Sequence, residues 1–168
     1  MTSIALIRAG HLTEGTDRIS ECVRNWRASN AHIAIPYMQC VLAHGLARIG
    51  DLESALRTVD EAIEQVERPG WQERCQFAEL LRVKGWILDL QGKSDQAEEY
   101  LHAAVDFARK QQAKSWELRS SITLAELLAR RGQRDAARKL LAPIYNWFTE
   151  GFETKDLKEA KALLGELA

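Results

Sequence analysis

Small and apolar residues recur along the chain at helical spacing, and the pattern itself repeats. Gly10, Gly50, Gly92 and Gly132 lie 40, 42 and 40 residues apart, each ending an apolar-periodic segment and opening a short polar link. After each glycine, small or apolar residues stand at +5, +9 and +12: Gly15, Ile19, Cys22; Ala55, Val59, Ala62; Ala97, Leu101, Ala104; Ala137, Leu141, Ile144. A four-then-three spacing marks one face of an α-helix. Ahead of the last three glycines a small-plus-large pair stands at −7 and −4, namely Ala43 and Leu46, Gly85 and Leu88, Ala125 and Leu128. Each unit therefore reads as helix A, a glycine turn and helix B, with glycine placed where the chain leaves a helix at positive φ.

The pattern predicts helices over 2–9, 13–27, 31–49, 52–66, 71–91, 94–111, 114–131, 134–149 and 155–167. Thr13, Asp51, Ser94 and Thr154 are candidate N-caps. Pro36 falls near a helix start, where a missing donor costs little. Pro143 falls inside a helix and is expected to bend or split it. Pro69-Gly70 marks the longest link. Ala43, Gly85 and Ala125 stand where helix A must approach helix B, and Ala55, Ala97 and Ala137 supply the matching low spot. One such hairpin leaves a face unburied, so successive hairpins are expected to stack into an all-α, right-handed α-solenoid forming a single domain. Its units span about 1–30, 31–70, 71–112 and 113–150. A closed up-down bundle uses similar faces but does not require four glycines in register. Leu157, Ala160, Leu164 and Leu167 share one face of the last segment, which predicts a capping helix over 155–167 with a charged back. The first A helix has no such cap, and the chain reads as part of a longer stack or parent protein.

Composition agrees and removes alternatives. Hydrophobic residues make up 46% and charged residues 28%, a balance that sustains a packed core. The net charge of −1 supplies no global field toward nucleic acid or an anionic membrane. No apolar run reaches the roughly 20 residues of a bilayer span, and Met1–Gly10 is too short and weakly apolar for a secretory leader. Cys22, Cys40 and Cys75 are odd in number, far apart and without a C-x-x-C, which fits reduced thiols in a cytoplasmic protein. His11, His32, His44 and His102 lack metal-ligand spacing, and the single glycines form no phosphate loop. No nucleophile motif surrounds any serine. The expectation is a non-enzyme without cofactor or metal. Arg130, Arg131, Arg134, Arg138 and Lys139 form a basic stretch that reads first as the exposed end of one helix and its neighbour.

The spacing resembles that of tetratricopeptide (TPR) repeats, although the units here run 40 to 42 residues rather than about 34. The stretch from Gln112 to Ala168, with its Ser115-Trp116-Glu117-Leu118-Arg119 and Trp147-Phe148-Thr149-Glu150-Gly151-Phe152 segments, resembles the C-terminal repeat region of large bacterial signalling proteins. Those proteins join an adenylate/guanylate cyclase domain and a signal-transduction ATPase domain to a terminal TPR array. The resemblance implies a sensor or docking arm rather than the catalytic part. The third unit departs from the pattern, with Gln76 where the fourth has Trp116, and with Trp86 where a polar residue is usual.

In a solenoid of helix pairs the A helices line the concave wall. Its expected partner-binding residues are Tyr37, His44, Glu79, Arg82, Trp86, Asp89, Arg119, Glu126 and Arg130, with Cys40, Ala47, Arg48, Leu90, Ile122 and Ala129 between them. Trp86, with Arg82 and Tyr37, is the expected anchor, because Trp, Tyr and Arg dominate binding hot spots. The wall lacks the Lys and Asn set with which some TPR domains clamp the C-terminal carboxylate of heat-shock chaperones, so a chaperone adaptor is disfavoured. Two functions follow: a protein- or peptide-binding module, or a scaffold that forms a homodimer through the uncapped N-terminal hairpin. Nucleic acid and membranes are not expected partners.

Overall fold

The computed structural model describes residues 6, 7, 10–28 and 34–168, and these are helical with short links. Eight helices follow in order: α1 (Leu12–Ala28), α2 (Ile35–Arg48), α3 (Leu52–Glu67), α4 (Phe77–Leu90), α5 (Ser94–Lys110), α6 (Lys114–Arg130), α7 (Arg134–Trp147) and α8 (Lys155–Glu166). No strand occurs among the described residues. Leu6 and Ile7 are helical and buried. The rest of the expected 2–9 helix, and residues 31–33 of the expected 31–49 helix, lie outside the described residues.

Each helix packs on the next, and the alternate helices α2, α4, α6 and α8 also touch in succession. That is a layered stack. The glycine turns that join helix A to helix B share one hydrogen-bond pattern. At Gly50 (φ +91°) the amide donates to the Ala47 carbonyl at 3.1 Å, and Asp51 N donates to the Leu46 carbonyl at 3.0 Å. Gly92 and Gly132 repeat both bonds. This pair of bonds is the Schellman closure, which satisfies carbonyls that a helix end leaves free. A Cβ at Gly50 would meet nothing within 4 Å, so backbone conformation rather than space calls for glycine.

Gly85 is the opposite case. A Cβ there would lie 2.7 Å from Leu101 Cγ and 3.0 Å from the Ala97 carbonyl, so α4 and α5 approach to backbone contact. Ala43, Ala55, Ala97, Ala125 and Ala137 are all fully buried, as the small-residue pattern requires. Leu88, Leu101, Leu128, Leu141 and Ile144 fill the seams between them. Leu157, Ala160 and Leu167 of the last segment join the same core as Leu141 and Ile144, with Leu164 half-buried beside them. So α8 covers the final hairpin.

The structure departs from three expectations, in whole or in part. The helix expected over 71–91 begins only at Phe77; Trp71–Gln76 is non-helical, and none of its residues is buried. Its side chains bond locally, Trp71 Nε1 to the Glu73 carbonyl at 2.7 Å and Cys75 N to Glu73 Oε1 at 3.2 Å, which competes with helix formation. Pro143 does not split α7, which runs unbroken through it. Of the four expected caps, only Asp51 makes a side-chain cap bond, accepting from Ser54 N at 3.0 Å. Ser94 is the first residue inside α5, Thr13 lies in the first turn of α1, and Thr154 stands at its cap without such a bond.

Candidate functional site: the inner groove

The inner layer α2, α4, α6 and the first turn of α8 enclose a cavity of about 440 Å³. Tyr37, Cys40, Val41, His44 and Arg48 come from α2; Glu79, Arg82 and Val83 from α4; Arg119 from α6; Lys155 and Asp156 from α8. A larger outer hollow of about 550 Å³ lies between α1, α3 and Trp71, where Arg27 pairs with Glu61 at 2.8 Å. Five residues of the expected wall, Tyr37, His44, Glu79, Arg82 and Arg119, converge on the inner cavity and none on the outer one.

At the floor Glu79 and Arg82, one turn apart on α4, are both buried. Arg82 donates Nε to Glu79 Oε2 and Nη2 to Oε1, each at 2.8 Å, and Nη1 to Thr123 Oγ1 at 3.2 Å. Arg119 reaches Glu79 Oε1 from α6 at 2.9 Å. Burial works to raise the Glu79 carboxyl, but the two guanidiniums outweigh it and hold the group below its ordinary range. Through Arg119 the network links α6 to α4 of the neighbouring unit.

His44 forms part of the wall and stacks on Trp86, ring centroids 4.9 Å apart at 27°. Burial, then Arg82 and Arg48, pull the His44 pKa down to about 4, so its ring is neutral at pH 7. Burial likewise pushes the Cys40 thiol well up, which leaves it an unreactive part of the wall. Trp86 itself does not line the cavity. Half-buried, it packs against the second unit's core and props the imidazole.

The remaining expected residues lie further along the wall. Asp89 on α4 pairs with Arg130 on α6, and Glu126 is exposed. The basic stretch is largely matched: Arg131 pairs with Asp95 at 2.8 Å and Glu98 at 2.7 Å, and Arg134 donates to the Glu166 carbonyl. Sequence reasoning did not place Lys155 and Asp156 in the groove, because it read their segment only as a lid. The usable signal was their position in the first turn of the helix after helix B of the last unit, where the next A helix of the stack would stand.

The Trp116–Arg119 segment is now legible. Trp116 lies beneath the Arg119 guanidinium at 5.2 Å, and Leu118 is core. Glu117 accepts from Arg109 Nε at 2.9 Å and Lys114 Nζ at 2.8 Å, joining α5 to α6. The arrangement aims Arg119 into the groove.

Solved structures share this architecture. A kinesin light chain-like protein of Podosopora anserina, built of nearly identical TPR-like repeats, superposes with a TM-score of 0.72 at 16% identity over 98% of this chain and 81% of its own. BtubC (BKLC) from P. vanneervenii superposes with a TM-score of 0.77 at 18% identity over 93% of this chain and 65% of its own. The fold is a TPR-like right-handed α-solenoid. No protein-family profile matches the chain, and no curated protein does. Among the described residues of this TPR-like chain, no helix is long and apolar enough to cross a membrane, and no group of His, Cys, Asp or Glu is placed to hold a metal.

Proposed function

We propose that the chain is a non-catalytic protein-interaction module that holds an extended segment of a partner in the groove of α2, α4, α6 and α8. The observation that carries this reading is the convergence of Tyr37, His44, Arg82 and Arg119 from three successive units on one open cavity. The His44 ring, braced by its stacking on Trp86, gives that cavity an aromatic side, and the Glu79–Arg82–Arg119 network gives it a polar floor. Rigid walls of this kind bind with little ordering cost. The resemblance of residues 112–168 to repeat regions of bacterial cyclase–ATPase proteins supports a cytoplasmic role as the docking or sensing arm of a signalling protein.

The test is comparative capture. Immobilised chain and its Tyr37→Ala variant are exposed to bacterial lysate, and retained proteins are quantified by mass spectrometry beside thermal melts. Tyr37 is half-buried at the cavity, so its loss leaves the core intact. Proteins retained by the wild type and lost by the variant at an unchanged melting temperature are the expected result. Identical capture by both overturns the groove as the binding surface.

A further inference from the structure

The inner cavity is not neutral. Four cations, Arg48, Arg82, Arg119 and Lys155, face two carboxylates, Glu79 and Asp156. The donors of Arg82 are committed to Glu79 and Thr123. Among the described residues Arg48 donates Nη1 to the Ile7 carbonyl at 3.1 Å, and its side chain is exposed. Arg119 gives Nη2 to Glu79, but its Nε stands 3.8 Å from Asp156 Oδ2, beyond hydrogen-bond length. Lys155 is 84% exposed and approaches Glu159 only at 3.4 Å. Among the described residues, Arg48 and Lys155 therefore form no ion pair with a carboxylate of the cavity, and Arg119 keeps its Nε beyond hydrogen-bond length of Asp156.

We propose that this cavity receives an acidic side chain, Asp or Glu, from within a partner segment, with Arg119 as its seat, Arg48 and Lys155 at its rim, and Asp156 as the internal competitor it displaces. The proposal rests on the peptide-binding reading above and adds the ligand's chemistry. A carboxylate gains charge-assisted bonds that the present geometry leaves unmade, and a guanidinium presents paired donors that suit it. A concave site with excess positive charge also steers acidic segments toward it. The lining contains no asparagine to hold a chain end, which favours an internal side chain over a terminal carboxylate.

The probes are acetylated, amidated octapeptide pools of mixed Ala, Ser, Leu and Tyr, with Glu, Gln or Lys fixed at the centre. Binding to the full chain is read by fluorescence polarisation at low salt. The Glu pool is expected to bind about tenfold tighter than the Gln pool, as for one charge-assisted contact, with the gap closing as salt rises. Arg48→Ala/Lys155→Ala, which replaces two exposed side chains, should erase most of that preference. Asp156→Asn should tighten the Glu pool by about threefold, because the competitor is gone. Equal binding of all three pools, or a preference unmoved by either variant, overturns the acidic-ligand assignment and leaves the peptide-binding reading in place. A Gln pool with a free C-terminus that binds as tightly as the amidated Glu pool overturns the side-chain assignment. Failure of every pool to bind overturns both.

Discussion

Arg82 grips both oxygens of Glu79 from one helical turn away, Nε on Oε2 and Nη2 on Oε1, each at 2.8 Å. With Arg119 on the same carboxylate, this network ties the third and fourth units beneath the groove. Removing one partner strands a buried charge, whereas removing both removes the need for either. Glu79→Ala is therefore expected to cost about 3–5 kcal/mol in urea unfolding. Glu79→Leu/Arg82→Met should recover most of that loss. A single variant as stable as the wild type would show that the network contributes nothing to the stack.

Gln112 offers the converse, a gain. It holds φ +56° at the end of α5 and makes the same two closing bonds as the glycine turns, Gln112 N to the Arg109 carbonyl and Ala113 N to the Ala108 carbonyl. A non-glycine residue in that region carries about 1–2 kcal/mol of strain. Its side chain returns a little through Nε2 to the Arg109 carbonyl at 3.1 Å. Gln112→Gly is expected to stabilise the chain by about 0.5–1 kcal/mol and raise the melting temperature by a few degrees. An unchanged or lower melting temperature would contradict this account.

The fold was legible in the sequence because its rules are local. Positive φ at Gly50, Gly92 and Gly132, and close approach at Gly85, each constrain one position, and the period repeats them. The groove was legible by face: Tyr37, His44, Arg82 and Arg119 share the inner side of their helices and meet there. What escaped depended on contacts across units. The segment before Phe77 fits a helical length but offers too few apolar residues at helical spacing to dock one. Burial of Glu79 and Arg82 follows from Arg119, 40 residues away in sequence, and no single-helix pattern records it. Lys155 and Asp156 enter the groove only because α8 packs against α6 as well as α7.

That double packing predicts two effects of one truncation. Ending the chain at Glu153 removes Leu157, Ala160 and Leu167, which are buried against Leu141 and Ile144. Burial of three such side chains contributes about 3–6 kcal/mol, so the truncated chain should melt well below the parent and associate through the bared face. The loss of Lys155 should also weaken capture of partners by whatever fraction remains folded. A truncated chain that melts with the parent and stays monomeric in light scattering would remove α8 from both roles.

His44 sets the pH dependence of the same groove. Burial, then the charges of Arg82 and Arg48, lower its pKa from 6.5 to about 4, against a smaller opposing pull from Glu79. Between those values the unfolded chain binds a proton that the folded chain refuses, so stability falls as pH falls from 6.5 toward 4. Below about 4 both states carry the proton and this contribution is lost entirely. Glu79, held below its ordinary 4.5, adds its own loss only at the acid end of that window. Because the imidazole is partly open to solvent through the cavity, the His44 contribution at pH 5 is on the order of 1–2 kcal/mol. His44→Phe keeps an aromatic ring against Trp86 and removes the titration. Urea unfolding at pH 7 and pH 5 should show the wild type losing more stability than His44→Phe by that amount. Parallel losses in the two proteins would mean that protonation of His44 is not resisted by the fold.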